Sequence, residues 1–204
     1  MNRGYLFLPF LLICLLAVSP SSAQDEDIPE DFEGLLVKSD ITITMRSKDL
    51  EISITLMDES ILQYATREMR DYLRMLVDDR LADNMNYNPE DPDRPIPFLV
   101  NFRGLGQEVR YEPHELVIYN YGQEFKPIDI VAISPKFFDR VTYIRQKPVS
   151  AIYLFDHSID LNSRDVTISY FNSLTFNNWL KIIEAVNKSK TTLELERARR
   201  AQDK

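Results

Sequence analysis

Residues 96–170 constrain the fold most, because their apolar side chains recur with a period of two. Phe98, Val100 and Phe102 alternate with Leu99, Asn101 and Arg103. Leu116, Ile118 and Asn120 alternate with Val117, Tyr119 and Tyr121, and Val166, Ile168 and Tyr170 with Thr167 and Ser169. Ile128, Ile130 and Ala132 continue the pattern, as do Val141, Tyr143 and Arg145. Successive side chains of a strand point to opposite faces, so each run has one apolar face and one wetter one. Two sheets of this kind bury their apolar faces against each other. Residues 151–155 are apolar on both faces, which places that strand centrally in its sheet. Between the runs stand residues that end strands or form turns: Gly104 and Gly106, Tyr121-Gly122-Gln123, Ser134-Pro135, Lys147-Pro148 and residues 160–165.

Upstream, Ile41, Ile43 and Met45 alternate with Thr42 and Thr44, and Ile52, Ile54 and Leu56 with Ser53 and Thr55. The four residues 47–50 join the two strands, the spacing of an antiparallel hairpin. A helix is predicted over 59–81, with Asp58 as its N-cap and Ile61, Leu62, Ala65, Met69, Tyr72, Leu73 and Leu76 on one face. Residues 83–97 carry prolines, asparagines and aspartates that block both helix and ladder. Downstream, Trp179, Ile182, Ile183 and Val186 form a single helical stripe.

The expected architecture is α+β and mostly β: an antiparallel β-sandwich core (98–188, ending in a helix), an N-terminal ββα unit packed on it (34–82), a linker (83–97) and a charged helical tail (189–204). The sandwich resembles immunoglobulin-like envelope domains in architecture, without any motif shared with them.

The chain begins like a secretory signal peptide. Arg3 supplies the positive start, Leu6 opens an apolar run that reaches Val18, and Ser21-Ser22-Ala23 offers small residues for cleavage after Ala23. The apolar run is shorter than the 20 or so residues of a good membrane span. Cys14 follows Ile13 rather than a small residue, which argues against lipidation. It is the single cysteine, so residues 24–204 hold no thiol, no disulfide and no thiolate metal site. A secreted domain without disulfides points to a bacterial envelope. Residues 24–33 are acidic and read as a disordered lead-in, without the spacing of a calcium loop. The net charge of −8 repels phosphate backbones and anionic lipid, so nucleic acid is not an expected partner.

Few residues suggest chemistry. Neither His114 nor His157 belongs to a zinc motif, and no nucleophile elbow or phosphate-binding loop is present. Asp156, His157 and Asp160 follow the most apolar strand, where a rigid scaffold can hold a metal or a histidine base; local turn hydrogen bonds explain the same residues. Ser158 beside His157 is a poor start for a triad, because sequence neighbours rarely take that geometry. Glu112 and His114 read as turn decoration. Tyr111, Tyr119 and Tyr121 lie on or beside strands and form a candidate binding face for a glycan or a partner; packing on a half-buried sheet is the other use of such tyrosines. Asn187-Lys188-Ser189 fits a glycosylation acceptor but falls on the predicted helix.

Together these features lead to an exported, non-enzymatic envelope domain, periplasmic or secreted. It would bind another envelope protein through a sheet edge or its C-terminal helix, or act structurally. No cofactor is expected. The alternatives are a glycan or small-ligand module using the tyrosines, and a hydrolase or metal site at Asp156, His157 and Asp160.

Overall fold

The structure is a computed structural model and describes residues 34–143 and 146–202. The expected signal peptide (1–23) and acidic lead-in (24–33) lie outside these residues, as do Ile144, Arg145, Asp203 and Lys204. The described residues all fall within one compact unit, Asp31–Lys204.

The alternating runs become strands of three sheets. A five-stranded sheet has the order β1 (Thr42–Arg46), β2 (Leu50–Leu56), β3 (Ile96–Gly104), β9 (Val149–Phe155) and β7 (Asp129–Ala132). A four-stranded sheet has the order β11 (Leu174–Phe176), β10 (Val166–Tyr170), β5 (Leu116–Asn120) and β6 (Gln123–Phe125). A short pair joins β4 (Val109–Arg110) to β8 (Val141–Thr142). The helices are α1 (Glu59–Leu62), α2 (Arg67–Leu81) and the C-terminal α3 (Leu180–Gln202). Every strand pairing within the sheets is antiparallel. The architecture is therefore α+β and mostly β. The two larger antiparallel sheets meet through aromatic side chains, and the finer immunoglobulin-like arrangement is not what the strand order shows. None of the described helices is long and apolar enough to cross a membrane.

The N-terminal hairpin joins the main sheet directly. Ile54 pairs with Ile43 on one side and Val100 on the other. Pro97 stands inside β3, its carbonyl accepting the Met57 amide at 3.0 Å just past the end of β2. Register puts Ile43, Ile54, Val100 and Ala151 on one face and Thr55, Leu99 and Ile152 on the other. Both faces are buried at these positions.

Aromatic rings fill the space between the two large sheets. Phe102 of β3 stacks on Tyr111 with ring centres 4.4 Å apart, and lies 6.0 Å from both Phe137 and Tyr170 of the facing sheet. The hydroxyls of the buried tyrosines Tyr111, Tyr153 and Tyr170 are paired, which avoids a cost of about 1–3 kcal/mol for each orphaned group. Tyr111 donates to the Phe137 carbonyl, Tyr153 donates to the Pro113 carbonyl at 2.9 Å, and Tyr170 accepts the Glu112 amide at 2.8 Å. These three bonds fix the segment that leads into β5.

The predicted helix over 59–81 is broken. Asp58 caps α1 as expected, its carboxylate accepting the Ser60 amide at 2.9 Å. The break follows from Leu36, whose amide donates to Tyr64 O at 3.1 Å and whose carbonyl accepts the Thr66 amide at 3.0 Å. Ser189 of α3 donates to the same Tyr64 carbonyl at 3.0 Å and accepts the Leu35 amide at 3.2 Å. This close approach needs Gly34, since a Cβ there would lie 2.2 Å from two carbonyl oxygens. After the break the helix is turned, so Leu73, Val77 and Leu81 are buried while Tyr72 is about half exposed. In α3 the glycosylation pattern is unavailable in the folded chain, because the Ser189 side chain is buried in these bonds.

Burial pushes the Tyr170 phenol up to about 12, and raises Tyr111 and Tyr153 for the same reason. An unfolded tyrosine titrates near 10. The folded state therefore holds protons that the unfolded chain loses above that pH, so this stabilisation is complete below about pH 10 and falls as pH rises towards 12. Thermal melts recorded by far-UV circular dichroism should show a flat midpoint up to about pH 10 and a progressive drop above it.

Candidate functional site

The strand with two apolar faces, β9, delivers Asp156, His157 and Asp160 to one end of the sheets, as the sequence leads one to expect. The loop that follows is stiffened by its own side chains. Asp156 Oδ1 accepts the Ser158 amide at 2.8 Å, Asp160 Oδ1 accepts the Asn162 amide at 3.0 Å, and Ser163 Oγ accepts the Asp165 amide at 3.0 Å. Residues of this type favour such turns because their oxygens sit two residues short of a free N–H. Buried Asn120, at the end of β5, clamps the loop from below: its Oδ1 accepts the Asp160 amide at 2.9 Å and its Nδ2 donates to the Asp165 carbonyl at 3.0 Å. From the other side Trp179, fully buried, donates its indole N–H to the Leu161 carbonyl at 2.8 Å.

The imidazole of His157 is about half exposed, with Nδ1 3.7 Å from Asp156 Oδ1 and Nε2 3.8 Å from Asp93 Oδ1. The two carboxylates thus stand at opposite nitrogens of the ring and do not converge on a shared point. The Ser158 hydroxyl and amide hold the Asp156 carboxyl below the usual carboxylate range. Among the described residues, no group of three or more histidines and carboxylates is placed to hold a metal ion. Asp160 turns away from the histidine towards the hairpin tip, where Tyr121 donates its hydroxyl to Asp160 Oδ2 at 3.0 Å.

The three tyrosines of the candidate face do not share a surface. Tyr111 is only 1 % exposed, because its ring drops onto Phe102 and its hydroxyl finds the Phe137 carbonyl; it belongs to the core. Tyr119 stands on the outer face of the four-stranded sheet and donates to Glu124 Oε2 at 2.9 Å, with Asn172 Oδ1 at 3.2 Å. That bond to Glu124 raises its phenol above the ordinary value. Tyr121 is 68 % exposed at the tip of the β5–β6 hairpin. It and Gly122 both have positive φ, 50° and 75°, the geometry of a two-residue hairpin turn. A tyrosine in that region is uncommon.

What the structure does bring together is Tyr121 with Asp160. Asp160 also lines an open groove of about 470 Å³, together with Asp58, Arg94, Ile96, His157 and Asn162 among others. Arg94 and Asp58 had no visible link to the loop, because they lie more than 60 residues upstream and nothing local marks them as neighbours. Asn120 was legible only as an inward-facing polar residue in an apolar register.

Compared with protein-family models, with curated proteins and with solved structures, the chain finds no match in any of the three.

Asn120→Ala removes both clamps and leaves the Asp160 amide and the Asp165 carbonyl unpaired. It should cost about 1–3 kcal/mol in urea unfolding and speed amide exchange selectively in residues 156–165. Asn162→Ala, which keeps its backbone amide, should do neither.

Proposed function

We propose that this chain is an exported, non-enzymatic domain of a bacterial envelope that binds another protein by accepting an extended segment on the edge of β7. Four strands end the two large sheets, and their edges are guarded to different degrees. The β6 edge is three residues long and is followed by Lys126 and Pro127, which discourage pairing. The β11 edge is equally short and lies alongside β1, within 8 Å at several positions, so each of these two edges shields the other.

The β7 edge is the open one, and this observation carries the reading. The Ile133 amide donates to Ser150 O at 3.0 Å, so odd-numbered residues in this strand pair with β9 and Ile130 and Ala132 aim their backbone groups outward. The Ile130 amide is taken by Asp129 Oδ1 at 2.7 Å. The Ala132 amide and carbonyl and the Ile130 carbonyl face outward without a partner among the described residues. Ile128, Val131 and Ile133 are apolar and partly exposed, and the one charge within the strand, Asp129, is engaged by Asn84, Asn86 and the Ile130 amide at its starting end. An apolar, extended partner segment fits such an edge, with main-chain bonds giving affinity and alternate side chains giving selectivity. Export is supported by the signal-like residues 1–23 and by the absence of cysteine from residues 24–204.

A photo-crosslinking residue at Val131, in protein expressed in its own source, should join the chain to a distinct envelope protein. Ala132→Pro removes the outward N–H while leaving the bonds to β9 intact, so it should abolish the crosslink with little change in melting temperature. The recovered protein should begin at Gln24. A crosslink only to a second copy of the chain, or one that survives Ala132→Pro, contradicts the reading.

A further inference from the structure

We infer that the groove between the β1 edge and the start of α3 binds a small anionic amphiphile, with Lys38 and Lys181 holding the anionic end and Phe176 and Ile182 the short hydrocarbon body. This stands independently of strand addition at β7. The groove has a volume of about 570 Å³, within the ordinary range of small-ligand pockets. Four elements build it: the short 3-10 helix Lys38–Asp40, β1, β11 and α3. β11 runs beside β1 with Cα atoms within 8 Å at several positions. A strand inserted between them would need about 9–10 Å, twice the ordinary strand spacing. The groove therefore suits a small molecule and not a peptide strand.

Charge sets the ligand's sign. The chain carries −8 overall, yet neither Lys38 nor Lys181 has an ion-pair partner among the described residues. The one carboxylate of the lining, Asp40, is turned to the backbone, its Oδ2 accepting the Val37 amide at 3.0 Å. The first turn of α3 holds no acidic residue that could take the lysines instead. Two unpaired cations from separate elements thus line one cavity, and an anion neutralises both. Register adds hydrogen-bond donors. The Leu56 amide donates to the Ile41 carbonyl at 3.1 Å, so odd-numbered residues of β1 pair with β2, and Thr42 and Thr44 aim their backbone groups outward. The rest of the lining sets the ligand's body. Ile182 is buried, and Phe176 is partly buried and packed on the core. An apolar surface of this kind gives nothing to a bare inorganic ion, but it shields a chain of several carbons from water.

Octanoate is the probe, titrated into the protein by calorimetry. It should bind at millimolar concentration or below. Octanamide, a neutral molecule of the same length, and acetate, the head without the chain, should each bind more weakly. Lys38→Gln and Lys181→Gln should each weaken octanoate binding by about two- to fivefold, the scale of one exposed charge pair. Both lysines are exposed, so the variants should fold, and unchanged far-UV circular dichroism checks that they do. In NMR spectra the amide shifts caused by octanoate should centre on Thr42, Thr44 and Lys181. No octanoate binding up to about 10 mM, equal affinity for octanamide or acetate, shifts centred elsewhere, or unchanged affinity in a folded double variant lacking both lysines would each overturn the assignment.

Discussion

The contact of Phe102 with Tyr111, Phe137 and Tyr170 is the constraint on which the rest of the structure depends. It lies where the two large sheets face each other, and Tyr170 brings the four-stranded sheet into it directly. Rings of this size bury more apolar surface than any aliphatic side chain, so they dominate the energy of a core of this kind. Their polar ends then set the geometry. Three hydroxyls need partners once buried, and the carbonyls of Phe137 and Pro113 and the amide of Glu112 supply them. The same bonds decide where the chain enters β5, and β5 in turn sets the position of Asn120 beneath the candidate site.

Much of this was legible in the sequence. Period-two alternation located the long strands, because each one buries one face and the side-chain geometry leaves no other pattern. The strands it did not reveal, β4, β6 and β11, are two or three residues long, too short to display a period. The sequence over 59–81 reads as one continuous helix because its apolar spacing is helical throughout. The interruption is imposed from outside by Leu36 and Ser189, the latter more than 100 residues away in sequence, and no local signal announces it.

The candidate site shows the same division. Asp156, His157 and Asp160 are where the strand pattern places them, at the end of β9. Their roles depend on partners the sequence does not bring together: Asp93 for His157, Tyr121 for Asp160, Asn120 for the loop as a whole. The tyrosines were a harder case, since a ring on a strand serves a core or a surface equally well. Burial sorts them. Tyr111, Tyr153 and Tyr170 hold the sheets together, and Tyr121 is left outside at a strained turn that a smaller residue would occupy more comfortably. The exposed β7 edge and the open groove are thus what remains once the core has taken the aromatics it needs.

The central claim is that Phe102 and Tyr170 couple the two sheets through a direct ring contact. A double-mutant cycle with Phe102→Leu, Tyr170→Leu and the pair, followed by urea unfolding, measures that coupling most directly. A favourable coupling energy of about 0.5–1.5 kcal/mol is the result expected for an aromatic pair in contact. Additive losses, with a coupling energy indistinguishable from zero, would mean that the sheets are held together by something other than this layer.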